Sequence, residues 1–284
     1  MTTVFPGSYL GGNVSLRESS VHTHIIMTRF NLATPGREFA LRTQPGWLAE
    51  RFDLFERYCL PSIAAQTTRD FHWIIYFDEA TPDVFRERVE AARKIFPFVP
   101  YYTGLFPSAG WRDSVVETFS PKTRLLLTTR LDNDDALAND FVARLHDWVE
   151  ANDHRLGAYN FQNGLIRQGS AVYAIKHRSN AFFSWLEDVS PELRTAPSIQ
   201  HMKIAQEGPV FQKSGEPGWM QVVHESNVSN KVRGWRVPPA AAKDFPPSAQ
   251  MGLADVPALV RGAENLLIGV LRSGRDVILG LRRH

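Results

Sequence analysis

Residues 125–137, LLLTTRLDNDDAL, bring a run of strand-forming residues to an abrupt end in Asp132, Asn133, Asp134 and Asp135. Packing alone does not ask for carboxylates there, because like charges side by side repel and lose solvation when covered. In an extended segment residues two apart point the same way, so Asp132 and Asp134 share one side and Asn133 and Asp135 the other. A same-side pair of carboxylates suits one hard divalent cation, Mn2+ or Mg2+, which would in turn bridge the phosphates of a nucleotide. The competing reading is an acidic turn or a helix N-cap open to water.

The elements that must position these groups alternate strand and helix, the pattern of a mostly parallel α/β sheet with helices on both faces. HTHIIMTRFN predicts a strand ending at Arg29 to Asn31, followed by a loop and a helix over 47–66 that Pro61 interrupts. FHWIIYFDEATP predicts a second strand running into an acidic turn. DVFRERVEAARKIF predicts an amphipathic helix, VPYYTGLF a short strand, GWRDSVVETF a helix, and NDFVARLHDWVEAN a helix with Asn139 or Asp140 as N-cap. Ligands of open α/β sheets bind at the carboxyl ends of the strands, which here carry Arg29, Asp78 with Glu79, and residues 130–135.

Residues 156–178 predict two or three antiparallel strands, 179–189 a short helix capped by Ser179, and GWMQVVHESNVSN a strand that His224 ends. Four prolines at 238, 239, 246 and 247 predict an irregular linker. From Val256 onward Leu259, Val260, Ala263, Leu266, Leu267, Val270, Leu271, Val277, Ile278 and Leu281 keep amphipathic-helix spacing, with arginines in excess. Such a helix packs on its own domain, joins a second copy, or lies on an anionic membrane; charge interrupts it too often for it to span one.

The formal charge of +2 gives no global electrostatic case for nucleic acid. The lone Cys59 excludes an intramolecular disulfide and a cysteine-based zinc site, which suits a reducing cytoplasm. The first residues lack a basic segment followed by an apolar core, so no secretory signal is expected.

TTRLDNDDAL resembles the Asp-X-Asp region of GT-A-fold glycosyltransferases, in the Asp-X-Asp-Asp form of family-2-like enzymes. TRFN, FERYCLPSIAAQ, FHWIIYFDEATP, RLDNDDAL, SNAFFSW and WMQVVHESNVSNKVRG together resemble the bacterial family named "putative rhamnosyl transferase". The resemblance runs over about residues 24–234. It implies a GT-A-like, Rossmann-type mixed sheet flanked by helices, with an irregular acceptor-side half. The expected organisation is an N-terminal mobile arm (1–22), a transferase domain (23–237, donor half about 23–152 and acceptor half about 153–237), a Pro-rich linker (238–255) and the amphipathic helix (256–284).

The resemblance also implies roles. Asp134 would coordinate the metal, Asp132 would bind it or the donor's ribose or sugar, and His224 would complete the site, a neutral imidazole being an acceptable manganese ligand. Asp78 would hold the nucleoside, and Arg29 the base or phosphate. Arg130 would reach the donor, and Lys231 and Arg233 the diphosphate. The reaction implied is glycosyl transfer, rhamnosyl by the family's label, from a nucleotide diphosphate sugar to a hydroxyl of a glycan, lipid-linked or small-molecule acceptor. An inverting enzyme needs a base near that hydroxyl. The pair Glu187 and Asp188 falls at a predicted helix end rather than a helix start, and among His201, Glu207 and Glu225 the choice is His201. Two other classes compete: a haloacid-dehalogenase-type phosphatase, which also carries Asp-X-Asp after a strand, and a sugar-binding protein without turnover. The expected location is cytoplasmic, peripheral to the inner membrane face if the tail is a membrane contact.

Overall fold

β1 (His22–Arg29) buries six of its eight residues, because it lies in parallel between β2 (His72–Asp78) and β4 (Leu125–Arg130). A strand covered on both faces needs an apolar run, which β1 supplies over 25–27 and β2 over 73–77. β3 (Val99–Thr103) adds a third parallel neighbour beyond β2. The computed structural model describes residues 22–32, 42, 44–104, 110–118, 122–224 and 233–281. The arm expected over 1–22 lies outside them but for His22.

The other strands are β5 (Ala136–Leu137), β6 (Gly157–Phe161), β7 (Asn163–Gln168), β8 (Ala171–Lys176), β9 (Ser184–Asp188), β10 (Val210–Lys213), β11 (Trp219–Val223) and β12 (Trp235–Val237). A seven-stranded sheet runs β10-β6-β9-β4-β1-β2-β3 and a five-stranded one β12-β8-β7-β11-β5. The order β3-β2-β1-β4 is parallel throughout, and antiparallel β9 beside β4 opens the second half. This is a mixed α/β sheet, as the sequence implies.

Three differences have physical causes. Residues 179–189 hold no helix; residues 184–188 form β9, inserted between β4 and β6. Phe182, Trp185 and Leu186 have helical spacing, but two flanking strands supply ladder partners, and tertiary context overrides a short apolar pattern. The interruption at Pro61 is not a break: the chain stays helical through Trp47–Leu54, a wide π turn at Phe55–Cys59 and Leu60–Ala64. The π turn falls just ahead of Pro61, whose missing N–H would otherwise interrupt an α-helical ladder. The stretch 238–255 is packed on the domain rather than free, with Ala242, Phe245 and Ala249 buried against Tyr58, Val172 and Met220.

The helix Trp47–Leu54 and the π turn lie on the sheet through Phe52 and Phe55, which meet Phe30, Phe77 and Trp73. The helix Asp83–Ile95 covers the same face through Val89 and Ala92. The helix Phe141–Glu150 lacks a side-chain cap at Asp140; instead Gln66 Oε1 accepts the Val142 N–H at 3.0 Å.

At the edge of the sheet where β1 and β2 begin, histidines gather. His24 Nδ1 is 2.9 Å from His146 Nε2, and His24 Nε2 is 2.8 Å from Thr129 Oγ1. The His22 ring lies 5.0 Å from that of His146 and 5.6 Å from that of His154. His72 starts β2 beside Ile25. Burial first, then neighbouring imidazoles, lowers the pKa of His24 well below its usual value and that of His22 to about 4.

Candidate functional site

β4 ends at Arg130, and the next five residues turn its edge into an acidic loop. Asn133 donates from Nδ2 to the Phe30 carbonyl at 3.3 Å, tying this loop to the end of β1. Asp135 is 2% exposed, and its Oδ1 accepts the Val222 N–H at 2.8 Å. Its side chain thus prolongs the β5–β11 pairing and holds β11, and with it His224, against the loop. Burial, reinforced by Asp134 and Asp132, pushes the Asp135 carboxyl well above the usual range.

Asp132 and Asp134 have different partners. The Asp134 carboxylate, 8% exposed, presents one oxygen, Oδ2, to Arg51 Nη1 at 2.7 Å and to His224 Nε2 at 2.9 Å. Glu50 Oε1 stands 3.6 Å from His224 Nδ1, too far for a hydrogen bond but close enough to act electrostatically. Asp132, 32% exposed, is gripped by Arg130, whose Nη2 reaches both oxygens at 3.2 and 2.9 Å. Burial would raise the Asp132 carboxyl, but Arg130, Arg29 and Arg51 outweigh it and hold it at about 2. The positive partners that the acidic run demands are therefore arginines of the chain itself.

Asp78 ends β2 and pairs with Arg42, while its Oδ1 accepts the Ala80 N–H at 2.8 Å. That bond closes a local turn rather than capping the helix Asp83–Ile95. Arg42 keeps Nε and Nη1 buried without a hydrogen-bond partner among the described residues. His201 opens a short 3-10 turn, not a long helix. Its pKa is lowered by burial first and then by Arg130 and His177, with Asp132 opposing, which sets the ring in the neighbourhood of the acidic loop. Arg233 is exposed and acts on His177. Lys231 and Glu225 lie outside the described residues.

Glu187 is engaged elsewhere: its carboxylate accepts the backbone N–H groups of Arg194 and Thr195, both at 2.8 Å. It pairs in register with Leu126, four residues before Arg130, roughly 13 Å back along the strand. Glu207 pairs with Arg194.

Cis ligands of an octahedral cation at about 2.1 Å stand about 3 Å apart, so Asp134 Oδ2 and His224 Nε2 fit two such positions. Asp132 does not converge with them, and among the described residues no group of three His, Cys, Asp or Glu side chains is disposed to hold a metal ion. Sequence reading missed Arg51, Glu50 and Arg42. Arg51 carries a signal in principle, one turn beyond Trp47 on the helix leading into the site, but an amphipathic pattern does not separate it from a solvated arginine.

No curated protein matches the chain in sequence. Among solved structures it is similar to S. aureus TarS, with 10% identity and a TM-score of 0.45 over 71% of this chain and 37% of that one. A shorter TarS structure, residues 1–349 in complex with UDP, gives 12% identity and 0.41 over 71% and 60%. A 4-diphosphocytidyl-2C-methyl-D-erythritol synthase of Anaerococcus prevotii gives 9% and 0.33 over 69% and 90%. The chain thus spans between about a third and three fifths of the TarS chains. A family model described as "Putative rhamnosyl transferase" matches residues 23–236, three quarters of the sequence and every element from β1 to the middle of β12, and the chain belongs to that family.

Proposed function

We propose that the chain transfers a glycosyl group from a nucleotide diphosphate sugar to an acceptor hydroxyl. The observation that carries this reading is the meeting of Arg51 and His224 on one oxygen of Asp134 at the carboxyl end of β4, with Arg130 on Asp132 beside it. As the glycosidic bond breaks, the leaving diphosphate gathers negative charge, and fixed cationic groups lower the barrier by stabilising it. Arg29, Arg51 and Arg130 are those groups. A bound Mn2+ or Mg2+ would add charge neutralisation at the same oxygens. Asp134 and His224 would hold it, and Asp132, released from Arg130, would join them or the donor sugar.

Asp78 and Arg42 would recognise the nucleoside, Arg42 bringing two donors that still need acceptors. His201 would take the acceptor's proton; its lowered pKa favours the neutral ring, one nitrogen of which carries no proton, as a base requires. Lys231 and Arg233 remain proposed diphosphate contacts. Rhamnose, named by the family description, is the first sugar to test.

Calorimetry with a panel of nucleoside diphosphates, with and without manganese, tests the reading. The expected result is manganese-dependent binding by the native chain that drops more than about tenfold in Asp134→Ala. Donor hydrolysis or transfer excludes an inert sugar-binding protein. Phosphate-ester cleavage through an aspartyl-phosphate on Asp132 would overturn the reading in favour of a phosphatase.

A further inference from the structure

Over residues 258–269 the helix Ala258–Leu281 docks with the opposite face from the one an amphipathic helix ordinarily buries. Asn265 accepts the Arg236 backbone N–H at 2.7 Å and donates to the Arg236 carbonyl at 3.0 Å, so it serves β12 as a neighbouring strand would. The preceding residue, Glu264, takes the Arg236 guanidinium at 2.6 and 2.7 Å, and one turn earlier Arg261 Nη1 is held by Asp255 at 2.8 Å. The Trp235 ring lies 3.5 Å from where a Cβ on Gly269 would sit, an ordinary packing distance. Polar contacts thus fix the rotation of the helix. The leucines face away: Leu259 is 89% exposed, Leu266 71%, Leu267 60% and Val260 46%. The same spacing continues in the sequence through Val270, Leu271, Val277, Ile278 and Leu281. Exposed apolar residues in one stripe mark a surface meant to be covered.

We propose that this helix is an interfacial anchor that lies on an anionic lipid bilayer, with the domain held on its polar side. Charge favours that occupant. By sequence the segment carries Arg261, Arg272, Arg275, Arg282 and Arg283 against Glu264 and Asp276; Arg261 is paired with Asp255 and Glu264 with Arg236, which leaves four arginines to Asp276 in the count. Anionic headgroups complement such an excess, whereas a second copy of the helix would bring the same arginines together. No helix among the described residues is long and apolar enough to cross a membrane, so the mode is one of lying on the surface. The inference is independent of the donor site.

Co-flotation of the full chain with vesicles tests it, using phosphatidylcholine alone and phosphatidylcholine mixed with phosphatidylglycerol. The native chain should bind the mixed vesicles about tenfold better than the neutral ones, with the difference shrinking as salt rises. Leu266→Glu with Leu267→Glu should abolish flotation while leaving far-ultraviolet circular dichroism and nucleotide binding unchanged, since both side chains are exposed. Equal binding to neutral vesicles, or no flotation, overturns the proposal. So does a native dimer in light scattering that the double variant converts to a monomer, which would give the stripe to a second copy instead.

Discussion

Acidification from pH 7.5 to 5 should weaken the fold at the end of the molecule opposite the candidate site. His22 and His24 on β1 face His146 and Asp147 from the helix Phe141–Glu150, His154 from the following turn, and His72 with Asp70 at the start of β2. Burial is the leading cause of the depressed pKa of His22, His24, His72 and His146. Asp70 offsets part of it at His72 and His146, and Asp147 at His146. The folded state therefore favours neutral rings, and the unfolded chain, titrating near 6.5, takes up protons first as pH falls. Stability is present above about pH 6.5 and is lost below it. For His22, with a folded value of about 4, the loss at pH 5 is about 2 kcal/mol. His24 adds a loss of the same sign. Its bond to His146 needs one of the two facing nitrogens without a proton, a condition that double protonation removes. Urea midpoints measured at intervals between pH 7.5 and 5, above the main carboxylate range, read the slope. His22→Gln should flatten it by about 1.4 kcal/mol per pH unit within the titrating window. Midpoints that stay level across this range, or a variant whose slope equals the native one, would refute the reasoning.

Arg51→Ala leaves the Asp134 carboxylate without its guanidinium in a nearly covered site, and should cost about 3 kcal/mol in denaturant melting. The same variant should bind manganese more tightly in the absence of nucleotide, because the cation no longer competes with Arg51 for Oδ2; titration calorimetry reads this. His201→Ala should lower kcat by about a hundredfold or more while the donor KM holds, a split seen in steady-state transfer assays once a donor is found. Gly164→Ala would set a Cβ 2.2 Å from the Trp219 ring, which is pinned by its own N–H to the Phe161 carbonyl at 2.9 Å and stacked on Phe182. The overpacking should cost about 2 kcal/mol and lower Tm by about 4–8 °C in thermal melting.

The parallel half of the sheet is legible in the sequence because strands covered on both faces carry apolar runs, here 25–27, 73–77 and 125–127, and the polar residues that end them then stand out. Arg29, Asp78 and Arg130 to Asp135 are all found at the strand ends where those breaks place them. His224 is legible for the same reason, closing the run Trp219 to Val223. What the sequence hides is partnership across the chain. Arg51 reaches Asp134 from a residue 83 positions away, and nothing local distinguishes it from the arginines that merely solvate a helix. Asp135, on the opposite side of the run from Asp132 and Asp134, serves as a backbone acceptor, which depends on where β11 falls. β9 hides behind a helical spacing that two neighbouring strands overrule. The direction in which the C-terminal helix turns its leucines follows from two hydrogen bonds of Asn265, a residue that the hydrophobic pattern treats as silent.

Cys59, the sole cysteine, closes the π turn with its side chain wholly covered and the acidic loop near enough, together with burial, to disfavour its thiolate. A thiol reagent can reach it only when the helix lifts from the sheet. Labelling speed at this one sulfur is therefore an intrinsic clock for breathing of the helix on the sheet, readable without altering a residue. A ligand that locks Arg51 and Asp134 together should slow that clock, whichever sugar it carries.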